Sequence, residues 1–330
     1  MSKKILIVGL GSIGQRHLRN LLSLGYKDIC LVRRNAAVLK EFPDLKVYKS
    51  IREACENMSF NTVIIATPTA NHYKDFLEIS SFKIQNIYIE KPITHSVEEA
   101  LKINEISNKL NLNVVVGYDL HFDLGLLKIK ELLEENKVGK LCSFQVEVGQ
   151  YLPDWRPHED YRNGMSAKVA LGGGVMLDLI HEFDYVNWLF GPIKYIFGKN
   201  KQISNLEIET EDVSMNIVET KQGVLGTISL DYLQKELSRT CKIVGDKGTI
   251  IWNYKECKVL WMTHGNLTWQ EFEYSHIERN DRFINIIKTF MNADFKDLDV
   301  RLSTVNSAIK SLNMVINVKK SNIENKFIEL

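Results

Sequence analysis

The sequence lacks the features that mark membrane and nucleic-acid-binding proteins. No apolar run approaches the roughly 20 residues needed to cross a bilayer, and the first short one leads directly into a glycine motif. The 42 Lys and Arg residues nearly balance the 41 Asp and Glu residues, which leaves a formal net charge of +1. No overall field therefore favours nucleic acid, a membrane surface or a polyanion. We expect a cytoplasmic protein with none of these partners.

The sequence also lacks the cysteine pattern of a disulfide framework or a zinc site. Its five cysteines are scattered, odd in number and without a C-x-x-C pair, which suits a reducing compartment. No other group of residues has metal-ligand spacing, so we expect no metal. The composition, with 45% apolar and 25% charged residues, is typical of a globular protein. The 330 residues are sufficient for two domains.

Residues 1–118 alternate between short β-branched apolar runs and segments with helical spacing. Helices are expected near residues 12–24, ended by Gly25, and near 96–110, where Ser96 and Glu99 form a capping box. Nearly all-apolar strands alternating with helices predict a parallel sheet covered on both faces, which is a doubly wound α/β Rossmann domain. The predicted strands cover residues 4–8, 28–32, 62–66, 86–89 and 113–117.

Residues 119–330 predict a second domain, of the α+β class, for substrate binding and oligomerisation. An irregular stretch at 151–174 precedes one predicted helix over 175–190. Alternating runs from 193 to 273, separated by turn signals, predict a large, open, mainly antiparallel sheet. Two further helices, near 279–291 and 303–319, end the chain. The broad sheet offers a face for subunit packing, so we expect a homodimer or homotetramer.

A glycine motif predicts a dinucleotide site at the start of the chain. It follows the first predicted strand and opens the first predicted helix, with the sequence Gly9-Leu10-Gly11-Ser12-Ile13-Gly14. In this context the glycines provide a tight turn, close backbone approach to a pyrophosphate, and helix–strand packing. The helix N–H groups then face the phosphates. An ordinary glycine turn is the alternative reading.

The cofactor is predicted to be NADP(H), with NAD(H) the less favoured choice. A Rossmann domain that prefers NAD carries an acid about 20 residues after the motif, where it binds the ribose 2′-hydroxyl. This sequence has Arg33 and Arg34 in that region. A guanidinium there can bind a 2′-phosphate. The alternative is a pair of solvated arginines that follow a strand.

Several motifs together resemble the glucose–fructose oxidoreductase/inositol dehydrogenase/rhizopine-catabolism (Gfo/Idh/MocA) family. Two of them end neighbouring predicted strands, where ligands of open α/β sheets bind. The motifs are Thr67-Pro68-Thr69-Ala70-Asn71-His72, Glu90-Lys91-Pro92, Val116-Gly117-Tyr118, and Gly172-Gly173-Gly174 leading to Asp178, His181 and Asp184. The predicted cofactor contacts from the two strand-end motifs are Thr67, Pro68, His72, Glu90 and Lys91.

The resemblance implies a dehydrogenase whose lysine of E-K-P, here Lys91, lies beside the nicotinamide and contacts the reacting hydroxyl. We assign His181 as the general acid or base, because imidazole titrates near neutral pH. Asp178 would bind substrate or orient the imidazole, and Asp184 is a further candidate orienter on the same predicted helix stripe. The D-L-I-H spacing is shorter than the family's usual one, so Asp178 transfers less directly. A histidine of the core is the alternative for His181.

The expected substrate is a sugar, sugar acid or nucleotide sugar. The segment from Tyr151 to Arg162 looks like a loop of relatives in surface-polysaccharide pathways, although it could equally be an ordered surface loop. Two other functions stay open, a non-redox lyase or epimerase with a cycling cofactor, and a dinucleotide-binding regulator without catalysis. The candidate substrate residues are Lys91, Tyr118, Trp155, Arg156, Arg162, Asp178 and His181.

Overall fold

The computed structural model describes residues 3–33 and 41–330. Its strands, numbered along the chain, are β1 (Ile5–Val8), β2 (Ile29–Val32), β3 (Lys46–Tyr48), β4 (Thr62–Ile65), β5 (Asn86–Ile89), β6 (Asn113–Val116), β7 (Leu141–Gly149), β8 (Ile193–Lys201), β9 (Val213–Thr220), β10 (Leu225–Asp231), β11 (Ser238–Gly245), β12 (Gly248–Asn253), β13 (Lys258–Thr263), β14 (Gln270–Glu273), β15 (Ser303–Thr304) and β16 (Ile328–Glu329). Its α-helices are α1 (Ser12–Ser23), α2 (Ile51–Asn57), α3 (His72–Ser80), α4 (Val97–Leu110), α5 (Leu124–Glu134), α6 (Val175–Asp178), α7 (His181–Phe190), α8 (Asp281–Met291) and α9 (Val305–Glu324).

The chain divides into two compact units. Unit 1 comprises Met1–Asp119 and Arg279–Ile309, and unit 2 comprises Leu120–Glu278 and Lys310–Leu330. The predicted single boundary at residues 118 and 119 placed Arg279–Ile309 in the second domain, whereas its contacts place it in the first. The reason is tertiary, because β15 pairs with β6 and α8 packs on α1.

Unit 1 is a Rossmann domain, as predicted. Its strands lie in the order β15-β6-β5-β4-β1-β2-β3, and β1 to β6 run parallel while β15 pairs antiparallel. All residues of β1, β2 and β4 are buried, since apolar side chains on both faces need cover. The predicted caps also form, because the Ser96 hydroxyl accepts the Glu99 N–H and Gly25 follows α1 at a φ of 87°.

Unit 2 contains the predicted large, mainly antiparallel sheet. Its strands lie in the order β14-β13-β12-β11-β7-β10-β9-β8-β16, and among the strands of the described residues only the β7–β10 pairing is parallel. Burial alternates along β9 and β10, so one face is packed and the other carries exposed Met215, Ile217 and Leu225. No helix within residues 3–33 and 41–330 has both the length and the apolar character needed to cross a membrane.

Candidate active site

The glycine turn between β1 and α1 leaves room for a ligand. A Cβ at Gly9, whose φ is 92°, would lie 2.7 Å from the backbone of Ala66, and one at Gly14 would lie 2.1 Å from the Gly9 oxygen. Packing within the protein therefore requires these two glycines. At Gly11, an added Cβ would meet no atom within 4 Å among the described residues outside its own stretch of chain. The space over Gly11 fits the close approach of a pyrophosphate.

The first turn of α1 suits an anion. Gly11 is its N-cap, and among the described residues no side chain caps the helix and no acidic residue lies in the first turn. Ser12 is exposed and Ile13 is half-buried. The N–H groups of a helix start need partners and carry the positive end of the helix dipole. The turn therefore fits the phosphates of a dinucleotide.

Two further loops lie at the same edge of the sheet, because they follow β4, which pairs parallel with β1, and β5, which pairs parallel with β4. In the first loop Pro68 is exposed, and the Thr67 hydroxyl donates to Asp75 at 2.6 Å. His72 is 1% exposed, and its two ring nitrogens lie 2.9 Å from the carbonyls of Thr67 and Pro92. Burial lowers the pKa of His72. The imidazole thus lies between the two loops and contacts the backbone of both, so we propose an indirect role for it in cofactor binding.

The second loop carries Glu90 and Lys91. Glu90 is 7% exposed, and its Oε1 lies 2.6 Å from Nε2 of the fully buried His17 in α1. Lys91 is half-buried and lies two residues after the end of β5. Sequence reasoning missed His17, although a histidine on the apolar face of a helix, four residues before Leu21, is a detectable signal.

Unit 1 also contains Arg33 and Arg34, predicted as cofactor contacts, and Tyr118, predicted as a substrate contact. Arg33 is half-buried at the end of β2, and its N–H donates to the Tyr48 carbonyl at 3.1 Å. Arg34 lies outside the described residues. Tyr118 is fully buried in the core of unit 1, which the prediction of a substrate contact did not anticipate.

In unit 2, the single helix predicted over 175–190 is wrong. The chain forms α6, which ends at Asp178, and α7, which begins at His181. Asp178 and His181 therefore belong to different helices and do not share a continuous stripe. The Asp178 carboxylate accepts a hydrogen bond from the Tyr232 hydroxyl at 2.6 Å. Both Asp178 and His181 are more than nine-tenths buried.

A buried ion pair and a buried histidine–carboxylate contact anchor α7, and sequence reasoning missed the partner in each. Glu182 is fully buried and accepts from the Arg239 guanidinium of β11 at 2.8 Å. Asp184 lies 2.7 Å from Nε2 of His121 and accepts from the Ser311 hydroxyl at 3.1 Å. Asp184, a predicted orienter of the His181 imidazole, thus lies against a different histidine. These contacts join residues far apart in sequence, so no local pattern indicates them.

Gly173 and Gly174, which precede α6, lie close to backbone atoms and to the carboxylate of a glutamate, respectively. A Cβ at Gly173 would lie 2.1 Å from the Met165 carbonyl oxygen, and one at Gly174, whose φ is 115°, would lie 2.5 Å from the Glu211 carboxylate. Glu211 also accepts the Met176 N–H at 3.4 Å. Burial raises the pKa of Glu211. Gly174 therefore lets this acid approach the start of α6, while Gly173 lets the chain pack against the Met165 backbone.

The 151–174 stretch folds into short 3₁₀ turns around a small open cleft. Trp155 and Arg156 line this cleft, with Tyr161 among the other lining residues. The Trp155 ring meets Tyr232 edge-on at 5.3 Å between centroids. Arg162 does not line the cleft but pairs with surface acids, including Asp160 at 2.8 Å. Of the three predicted substrate residues in this stretch, two are thus brought together.

The Rossmann sheet, its glycine turn and the open antiparallel sheet define a two-domain dehydrogenase with an NAD-binding domain. Residues 3–118 match a family model described as "Oxidoreductase family, NAD-binding Rossmann fold", and residues 126–251 match "GFO/IDH/MocA C-terminal domain". The chain belongs to the Gfo/Idh/MocA oxidoreductase family. The resemblance drawn from its motifs is confirmed.

Similar proteins include an inositol dehydrogenase and a levoglucosan dehydrogenase. A myo-inositol 2-dehydrogenase of Thermotoga maritima is 24% identical over 305 residues, which is 87% of each chain. The structure of a levoglucosan dehydrogenase in complex with NADH has a TM-score of 0.87 at 14% identity and covers 100% of this chain and 99% of its own. The WlbA dehydrogenase from Bordetella pertussis, in complex with NADH and UDP-GlcNAcA, has a TM-score of 0.81 at 17% identity, with 100% and 99% coverage. At sequence identities of 14% and 17%, the similarity to these two structures establishes the fold of the chain.

Proposed function

We propose that this chain transfers a hydride between NADP(H) and a secondary alcohol or ketone of a sugar, sugar acid or nucleotide sugar. The observation that carries the proposal is the edge of the Rossmann sheet. There the open space at Gly11 and the start of α1 follow β1, and the loop that holds Lys91 follows β5, two strands along in the same parallel sheet. A pyrophosphate site and a lysine at one sheet edge suit nicotinamide chemistry on an alcohol.

The proposed roles divide between two side chains. A nicotinamide bound at this edge supplies the hydride acceptor or donor. The Lys91 ammonium polarises the substrate oxygen, and the His181 imidazole takes or gives the hydroxyl proton. Asp178, held by the Tyr232 hydroxyl, binds a substrate hydroxyl or orients the imidazole. The other proposed cofactor contacts are Gly9, Gly11, Ser12, Ile13, Gly14, Arg33, Arg34, Thr67, Pro68, Glu90 and, through the loops that it holds, His72.

The proposed substrate class rests on the cleft of unit 2. Trp155 offers an aromatic face for a sugar ring, and Arg156 is an exposed guanidinium able to bind a carboxylate or phosphate. The names of the similar proteins, which include an inositol, a levoglucosan and a nucleotide-sugar enzyme, support a sugar-like substrate. An acidic or phosphorylated sugar of surface-polysaccharide metabolism fits this combination.

The test is a screen of the purified chain for absorbance change with NADP and NAD against sugars, sugar acids and nucleotide sugars. With the substrate found, His181→Ala and Lys91→Ala should each lower turnover about 10²–10⁴-fold, while His181→Ala keeps NADPH affinity near that of the wild type. The matched controls are His276→Ala and Lys83→Ala, whose side chains are exposed. Near-wild-type turnover of His181→Ala, with an unchanged pH profile, contradicts the proposed mechanism. Product formed without net reduced cofactor supports a lyase or epimerase instead.

A further inference from the structure

The glutamate that precedes Lys91 takes part in a buried polar cluster. Glu90 Oε1 lies 2.6 Å from His17 Nε2, and both side chains are at least nine-tenths buried. With the carboxylate ionised, Nε2 is the donor. Removal of a carboxylate from water is costly unless hydrogen bonds and opposite charge replace hydration. A buried acid at this loop therefore needs its partner in α1.

A second side chain completes the cluster. The hydroxyl of the fully buried Tyr88 hydrogen-bonds to Glu90, and burial, together with the Glu90 charge, raises the pKa of Tyr88 well above its usual value. The Tyr88 ring also meets the His17 ring edge-on at 5.3 Å between centroids. A Cβ at Gly117, just after β6, would lie 2.7 Å from the Tyr88 hydroxyl and 3.1 Å from Glu90 Oε1. A side chain at residue 117 would therefore clash with the cluster, and glycine leaves the space that the Tyr88 and Glu90 side chains occupy.

The cluster connects the two parts of the cofactor edge. His17 lies on α1, whose first turn is the candidate phosphate site. On the other side, the Lys91 N–H donates to Glu90 Oε2 at 3.2 Å. One carboxylate thus uses one oxygen for the phosphate-binding helix and the other for the peptide of the candidate catalytic lysine.

We infer that His17 and Glu90 are positioning residues that fix the Lys91 backbone relative to the dinucleotide-binding helix. The inference rests on the proposed role of Lys91 in hydride transfer. Without the pair, the E-K-P loop loses its attachment to α1, and the lysine ammonium is displaced from the substrate oxygen. A displacement of about 1 Å from a reacting centre can cost on the order of 100-fold in rate.

The experiment compares His17→Leu, which removes the donor, with His17→Gln, whose amide N–H replaces Nε2. We expect His17→Leu to lower kcat about 10–100-fold, with NADPH affinity, measured by nicotinamide fluorescence, changed by less than about threefold. His17→Gln should recover most of kcat. Asn20→Leu is the control, because Asn20 is also buried on α1 and accepts from Asn280 at 2.9 Å, away from Glu90. It should lower the unfolding temperature without a loss of kcat.

A double-mutant cycle separates this inference from the proposed function. In a Lys91→Ala background, His17→Leu should lower kcat by less than about threefold, since the residue through which it acts is gone. An unchanged kcat in His17→Leu, equal losses in both backgrounds, or no recovery in His17→Gln overturns the inference. Full turnover in Lys91→Ala alone overturns the proposed function. If His17→Leu fails to fold, the same cycle with His17→Met, which also removes the donor, decides the question by the same criteria.

Discussion

Removal of the Arg239 guanidinium should strongly destabilise unit 2. Arg239 is 8% exposed and lies 2.8 Å from Glu182, which is fully buried and immediately follows His181. Arg239→Met fills a similar volume but leaves the Glu182 carboxylate buried without this counter-charge. Loss of one partner of a buried pair costs about 3–5 kcal/mol. At about 2–4 °C per kcal/mol for a unit of this size, the transition should fall by about 6–20 °C.

The assay is calorimetric and chemical unfolding, with unit 2 followed as its own transition. Lys242→Met is the matched control, because Lys242 is an exposed cation on the same strand and its loss should cost no more than about 0.5 kcal/mol. The double variant Glu182→Leu/Arg239→Met should recover most of the stability, since apolar replacement of a buried pair is often neutral. If Arg239→Met behaved like Lys242→Met, the pair would not anchor α7.

Three further predictions concern ligands and assembly. Gly11→Ala should leave the free energy of unfolding within about 1 kcal/mol of wild type but weaken NADPH binding at least about tenfold. Gly14→Ala should lower the free energy of unfolding by about 1–3 kcal/mol, because the Cβ added at Gly14, unlike the one added at Gly11, meets protein atoms. Titration of both cofactors will show whether the chain binds NADP(H) more tightly than NAD(H), and Arg33→Asp should reverse that preference, because a carboxylate repels a 2′-phosphate. Light scattering should give a homodimer or homotetramer packed through the exposed sheet face, and Ile217→Lys should shift it toward monomer.

Each of these has a clear contrary result. Gly11→Ala with unchanged NADPH affinity would place the phosphates elsewhere. Equal affinities for the two dinucleotides, unchanged in Arg33→Asp, would remove the basis for an NADP preference. A stable 38.0 kDa monomer at micromolar concentration would contradict the assembly.

The sequence by itself determined the elements that depend on local patterns. The buried parallel strands were predicted from continuous β-branched runs, and the open sheet from alternating apolar and polar residues. Both patterns are local, because the periodicity of apolar residues along a segment reflects which of its faces are buried. Local chemistry likewise identified the glycine turn, the Ser96–Glu99 cap and the motifs that established the family. The position of Lys91 after a strand followed from the same reasoning.

The tertiary structure decided which side chains meet. His17 and Glu90 are 73 residues apart, and Glu182 and Arg239 are 57 apart, so no window of sequence contains either pair. The break between α6 and α7 is equally invisible, since apolar spacing continues across it. Asp178 is bound to Tyr232, after β10, whereas Glu182 is bound to β11. The two helices are thus attached to different parts of the sheet. The break between Asp178 and His181 coincides with this difference in tertiary contacts and not with a change in local propensity.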